Sequence, residues 1–206
     1  MSVPIEDIVK NKMELDLIMD RHLTKDFSVL GQIYFSNAEV EVYKEDGDIE
    51  KLDVKRGTIF IDPKTLSERN RGCLNFTIAH EAYHWYGQRV FAAIKSIVHK
   101  EKVIAHRCPR ESSNQDFKKG KITDENSMEW VANNMAPRIL MPTQTVKPLI
   151  ERLMQEFNYH DNDDYTKAII LDMIAENIAE IYEVSKQAAK IRIENFYPSN
   201  VVVNQS

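Results

Sequence analysis

Two histidines and a glutamate stand in the order H-E-x-x-H within the segment FTIAHEAYHWYGQRV: His80, Glu81 and His84. On an α-helix, residues four apart lie on the same face one turn apart, so both imidazoles can reach one cation. Glu81 is rotated by about 100° from His80, which places its carboxylate beside that cation without binding it. A zinc ion there lowers the pKa of a bound water, and Glu81 is predicted to accept the proton as a general base.

Two histidines need a third protein ligand. In the longer pattern H-E-x-x-H-x-x-G-x-x-H, that ligand would fall at Val90, whose side chain cannot bind a metal. His99, His106 and Cys108 carry suitable donor atoms. His106 and Cys108, however, precede a polar segment instead of lying on a rigid element, which disfavours them as ligands.

Glu129, in the segment DENSMEWVANNMAPRILMP, is the better candidate. The segment is predicted to be helical, with Ala132 and Asn133 on the same face as Glu129. Ala132 would let this helix pack closely, and Asn133 could donate a hydrogen bond to a metal ligand. A glutamate near a helix N-terminus is also favourable without any metal, so this reasoning alone leaves the third ligand open.

Elements with clear periodicity must position these residues. The region around the pentad, residues 68–100, predicts a long helix from its apolar residues at 74, 78, 82, 86, 90, 94 and 98. Residues 5–23 predict an N-terminal helix, and residues 31–63 predict a small antiparallel sheet with a turn at EDGD. The strand TIFI, residues 58–61, could offer an edge to an extended peptide. Residues 107–124 predict a long loop, and the helix that contains Glu129 is expected to break at Pro137.

Charge and composition exclude several classes of function. The chain has 206 residues and a net charge of −5, so its overall charge does not favour nucleic acid or an anionic membrane as a partner. Its N-terminus has no secretory signal, and no apolar run is long enough to span a membrane, so a cytoplasmic location is expected. Both cysteines, Cys73 and Cys108, are then expected to be reduced.

The C-terminal third predicts three helices, the last two separated by a short turn with Ser185 as N-cap. This pair is similar to half of a helix-turn-helix. Between Glu176 and Glu194, however, four glutamates stand against three basic residues, whereas a helix that reads DNA brings a basic surplus. Direct DNA binding is therefore not expected.

Two separated segments together resemble a known family. RNRGCLNFTIAHEAYH is similar to the signature R-x-x-F-T-x-A-H-E-x-x-H of the ImmA/IrrE metallo-endopeptidases, and EWVANNMAPRILMP to their downstream signature E-x-x-A-N-x-F-A-x-x-L-L-M-P. The resemblance covers roughly residues 5–145. It implies a zinc site of His80, His84 and Glu129 with Glu81 as general base. Tyr83 departs from the family pattern, which usually has Gly before the second histidine, and puts the substrate preference in doubt.

The resemblance implies an α+β fold of the zincin type, in which a small antiparallel sheet packs on the active-site helix, over residues 1–147. Residues 148–206 would form a helical lobe similar to a helix-turn-helix. The predicted function is a zinc-dependent endopeptidase that cuts a specific intracellular protein, and the family suggests a transcriptional repressor. For the oxyanion, Tyr83, Tyr86 and His106 are the nearby donors.

A second hypothesis is a non-catalytic regulator that keeps zinc for structure and binds DNA or a partner protein through its C-terminal helices. A structural site would be closed by a fourth protein ligand such as Cys108 or His106. Zinc is favoured over manganese by two histidines and a glutamate.

Overall fold

The computed structural model of the protein describes residues 2–98, 104–109 and 124–197. Two compact units make up the chain: Pro4–Ile139, and Leu140–Ser206 with Met1–Val3. Helices and small sheets together give the α+β class that the sequence predicts. No helix within the described ranges is long and apolar enough to cross a membrane.

The first unit holds the strands and the two helices that carry the H-E-x-x-H pentad and Glu129. It begins with a short helix α1 (Ile5–Asp7), which continues as a π-helical segment over Ile8–Lys12. The strands are β1 (Asp16–Ile18), β2 (Val29–Tyr34), β3 (Ala38–Tyr43), β4 (Ile49–Val54), β5 (Thr58–Ile61) and β6 (Ala105–Pro109). The long helices are α2 (Arg71–Val98) and α3 (Asp124–Leu140), and a π-helical segment, Thr65–Arg69, precedes α2.

Four strands form one sheet in the order β1-β5-β2-β6. Pairs β2–β5 and β2–β6 are antiparallel, but β1 and β5 pair in parallel, so the prediction of an antiparallel sheet is wrong for this pair. A parallel pair needs a long crossover connection, and here β2, β3 and β4 lie between the two strands in the chain. β5 has partners on both sides, so the prediction that TIFI offers a free edge is also wrong.

The second sheet is the hairpin of β3 and β4, whose turn holds Gly47 at φ 87°. Glycine adopts this left-handed conformation without steric cost. The hairpin contributes Val42 and Val54 to a core cluster with Tyr34 of β2 and Phe60 of β5. Because side chains alternate along a strand, Gly31 and Tyr34 point to opposite faces of β2, and Gly31 faces α2. The hairpin and α2 therefore cover opposite faces of the sheet.

Three boundaries differ from those predicted. The N-terminal helix ends at Lys12, because Glu14 has φ 56° and β1 follows at once. A strand, β6, occupies Ala105–Pro109, where a loop was predicted from residue 107; residues 110–123 of that loop lie outside the described residues. α3 continues through Pro137 to Leu140, so the predicted break is wrong. A proline inside a helix removes one backbone hydrogen bond, and α3 tolerates that loss.

The second unit consists of helices α4 (Thr143–Glu156), α5 (Asp164–Tyr182) and α6 (Lys186–Phe196). Its core is aliphatic, with Ile150, Ile174, Ile178 and Ile193 buried. Ser185 caps α6 by accepting a hydrogen bond from the N–H of Ala188, as the sequence predicts.

Candidate metal centre

Helix α2 holds the H-E-x-x-H pentad and begins with a local cap. The Asn70 side chain accepts a hydrogen bond of 2.9 Å from the N–H of Cys73, which satisfies one free donor of the first turn. Farther along the helix, His80, Glu81 and His84 are all 0% exposed. Buried polar groups of this kind are stable only when they are paired or bind a cation, so this part of α2 is organised around a polar centre.

The structure brings three predicted ligands together. The Nε2 atoms of His80 and His84 are 2.8 Å apart. Glu129 on α3 places Oε2 3.4 Å from Nε2 of His80 and Oε1 3.0 Å from Nε2 of His84. Each residue offers one ligand atom, and these atoms lie within 4.8 Å of one another.

These separations fit a small divalent cation. Zinc binds nitrogen and oxygen at about 2.0–2.1 Å, so two ligand atoms of a zinc tetrahedron are about 3.3 Å apart. Two imidazole nitrogens at 2.8 Å would repel through their lone pairs unless one held a proton or both faced a cation. Two neutral imidazoles and one carboxylate are also a donor set that zinc accepts. His80, His84 and Glu129 can therefore hold a metal ion.

Glu81 lies next to these residues in the chain, and its carboxylate is fully buried. Burial raises its pKa well above the ordinary value of 4.5, and the negative charge of Glu129 adds to this effect. The backbone N–H of Ile33 in β2 acts in the opposite direction. A carboxylate with a raised pKa, held in a buried pocket, is suited to accept and return a proton near neutral pH.

Buried small residues and aromatic contacts lie around the centre. On α3, Ala132 and Ala136 are completely buried, as expected for a helix that packs closely through small residues. The ring of Phe76 lies 6.0 Å from that of His80. Trp85 stacks on Phe35 just after β2, with ring centroids 6.2 Å apart. The Phe35–Trp85 contact connects the helix that carries both histidines to the end of β2.

The structure does not bring the other residues considered in the sequence analysis into the group of His80, His84 and Glu129, or does not describe their side chains. Val90 is exposed. His99 and the side chains of His106 and Cys108 lie outside the part of the chain that the structure describes, so their predicted roles stay predictions. Tyr86 is 70% exposed, and the ring of Tyr83 lies along α2 against Gly87.

Sequence reasoning missed the contribution of β2. Gly31 lies directly against Glu81 and Thr77, and Ile33 directs its N–H toward the Glu81 carboxylate. A signal did exist, because a lone glycine inside a strand often marks a close approach of another element. The order of strands was needed to tell which element approaches.

Comparisons of the chain with models of protein families, with curated proteins and with solved structures give no match.

Proposed function

We propose that the protein is a zinc-dependent endopeptidase. The observation that carries the proposal is the convergence of His80, His84 and Glu129 on one point beside the buried carboxylate of Glu81. A purely structural site has no use for such a carboxylate, which must be desolvated at a cost in stability. Hydrolysis does need it, because the reaction requires a group that moves a proton.

His80, His84 and Glu129 would hold the zinc ion, which supplies a lowered pKa for water and polarisation of the peptide carbonyl. Glu81 accepts a proton from the attacking water as the new C–O bond forms. The same carboxyl then donates this proton to the amine as the C–N bond breaks. Overall, the reaction consumes one water molecule and cleaves one peptide bond.

The resemblance to the ImmA/IrrE metallo-endopeptidases supports an intracellular protein, in particular a transcriptional repressor, as the substrate. The zincin type of fold belongs to the same proposal. Three basic residues of α6 are already engaged within their own unit, which argues against direct DNA binding. Lys186 and Lys190 pair with Asp172, and Arg192 donates to the carbonyl of Met141 and to Thr143 Oγ1.

The first test measures bound zinc in the purified protein and in two variants. Glu129→Ala is expected to lose the metal, and Cys108→Ser is expected to keep about one zinc per chain. Glu180→Ala, which removes an exposed glutamate of the second unit, is the matched control. Zinc that is held through Cys108 would indicate a closed structural site, and the peptidase proposal would then be wrong.

The second test separates catalysis from metal binding. Glu81→Gln is expected to keep the zinc and lose about 10²–10⁴-fold in the rate of cleavage of fluorophore-quenched unfolded casein. Equal cleavage by the variant and the wild-type protein would exclude Glu81 as the proton acceptor.

A further inference from the structure

Gly31 of β2 lies at a close approach between the sheet and α2. A Cβ atom at this position would lie 2.7 Å from Thr77 Cγ2, 3.0 Å from Glu81 Oε1 and 3.1 Å from Glu81 Cγ. Carbon–carbon contacts are optimal at about 3.5–4.0 Å, so no larger side chain fits without movement of these groups. Two of the three contacts involve Glu81.

The glycine is not explained by its backbone conformation. Gly47 and Gly57 are the glycines with positive φ in the described residues, and Gly31 is not among them. The register of β2 with β6 shifts between Val29 and Gly31, but a bulge that requires glycine places it in the left-handed region. Glycine in a strand costs conformational entropy relative to alanine, so its benefit here is the space that it leaves.

That space is occupied by the side chains of Thr77 and Glu81. The Glu81 carboxylate has no exposed surface and can withdraw from a new Cβ only by leaving its present rotamer. Ile33, two residues along the same strand, directs its N–H toward the same carboxylate. The backbone of β2 thus forms one wall of the Glu81 pocket.

We propose that Gly31 is a positioning residue, whose missing Cβ allows the Glu81 carboxylate to stand beside the ligands His80, His84 and Glu129. This inference rests on the proposed function, in which Glu81 moves the proton. Gly31 has no side chain that could bind a metal or move a proton, so it would act only through Glu81.

The test must separate Glu81 from Thr77, since Gly31→Ala would press on both. Thr77→Ser removes the Cγ2 methyl and keeps the hydroxyl, which donates a 2.9 Å hydrogen bond to the carbonyl of Cys73. The variant Gly31→Ala/Thr77→Ser therefore retains only the clash with Glu81. Thr77→Ser alone is the matched control.

Three measurements are made on the zinc-loaded proteins: zinc content, a crystal structure, and kcat and KM on fluorophore-quenched unfolded casein. The double variant is expected to bind zinc like the control, to show the Glu81 carboxylate in a different rotamer, and to lose about 100-fold in kcat with little change in KM. In the Glu81→Gln background, the same two substitutions should cause no further loss of kcat. An unmoved carboxylate with unchanged kcat would overturn the inference.

A third set of variants decides the matter if the double variant does not fold. Gly31→Ala/Thr77→Ser/Glu81→Ala removes the remaining group that meets the new Cβ, and it is expected to regain the melting temperature of Thr77→Ser/Glu81→Ala. A triple variant that stays unfolded would mean that Gly31 serves the sheet and not Glu81, and the inference would be wrong. The structural readouts do not depend on activity, so a wild-type protein that binds no zinc and cleaves no casein would contradict the proposed function but not the placement of Glu81 by Gly31.

Discussion

The two units of the chain differ in how many polar or charged residues they bury. Within the described residues, the unit Pro4–Ile139 buries ten polar or charged residues, among them His80, Glu81 and His84. Among the described residues, the unit that starts at Leu140 buries one charged residue, Arg192, whose guanidinium donates to a backbone carbonyl and a threonine hydroxyl, and it also buries the hydroxyl of Tyr182. Other charges of this unit form exposed ion pairs, such as Asp172 with Lys186.

The difference shows where the chain gives up stability to bury polar and ionisable groups. Burial of an ionisable group without full compensation is unfavourable, so a sequence selected for stability alone would fill these positions with apolar residues. The second unit follows that rule with an isoleucine-rich core. The first unit departs from it at the candidate metal ligands, where a bound cation would offset the cost of burial.

Metal binding should give the largest effect in this comparison. Zinc at a thousandfold excess over its Kd is expected to stabilise the first unit by about 4 kcal/mol, because the ion binds only the folded site. Hydrogen exchange read by mass spectrometry should show slower exchange in α2 and β2 and no change in α5 and α6. In His84→Ala the protection should disappear. Equal protection of both units would mean that they unfold together, so that the stabilisation by zinc is not confined to the first unit.

A core truncation should affect the second unit by a similar amount and without regard to zinc. Ile174 is completely buried, and Ile174→Ala is expected to cost about 2–5 kcal/mol through lost burial and the cavity that remains. Urea unfolding followed by circular dichroism would measure the loss, and Ile169→Ala, at an exposed position of the same helix, is the control. A loss that zinc reverses would contradict the independence of this core from the metal centre.

Glu81→Gln should stabilise the metal-free protein. Burial raises the pKa of Glu81 above 4.5, so at neutral pH the folded state holds a carboxylate under desolvation, or takes up a proton that the unfolded state lacks. Stability is therefore lost as pH rises from the unfolded value toward the folded pKa, and the glutamine variant avoids this loss. Thermal melts of the metal-free proteins should differ at pH 8 and converge below about pH 4.5. If Glu81→Gln melted at a lower temperature than the metal-free wild-type protein at pH 8, the buried charge of Glu81 could not be the cause of the lost stability.

The sequence was sufficient to predict the two histidines of the candidate site, but not the third ligand or how the site is enclosed. His80 and His84 followed from spacing on a helix, because an i, i+4 pair lies on one face whatever the tertiary fold. Glu129 could not be chosen over His99, His106 or Cys108 from the physical pattern alone, since the approach of α3 to α2 is a tertiary contact. The contact of Gly31 with Glu81 could not be predicted without the order of the strands in the sheet.

The apolar stripe on α2 shows why periodicity alone was not enough. A step of four residues advances the side chain by about 400°, so the stripe drifts by about 40° at each step. Leu74 and Ile78 face the core, but by Val90 the stripe has turned about 160° away, and Val90 is exposed. Ala92 is eighteen residues after Leu74, a whole number of turns, and is buried again. The core follows the period of 3.6 residues and not the row of apolar residues.

The sheet was predicted incompletely for a similar reason. β1 and β6 are short strands whose partners are distant in the chain, and neither has the alternation that made the β3–β4 hairpin visible. Asp16 of β1 pairs with Thr58 of β5, and these residues are too far apart in the chain for a pattern in a short segment to connect them. Non-local pairing is decided by the folded context more than by intrinsic preference.

The smallest effect should come from the exposed charges of the second unit. Asp172 contacts Lys186 at 2.6 Å and also pairs with Lys190, and the hydrogen bond from Lys186 lowers the pKa of its carboxyl below the ordinary 3.8. A lowered folded pKa means that the contribution to stability exists above about pH 3.8 and is lost as pH falls through the folded pKa. Asp172→Asn should therefore reduce the urea midpoint slightly at pH 7, and the difference should shrink as pH falls below about 3.8; at pH 7 it should also shrink in 1 M salt, because exposed pairs are screened. A loss that does not shrink at low pH, or one as large as that of Ile174→Ala, would mean that Asp172 contributes as a buried group does, and would remove the contrast between the two units.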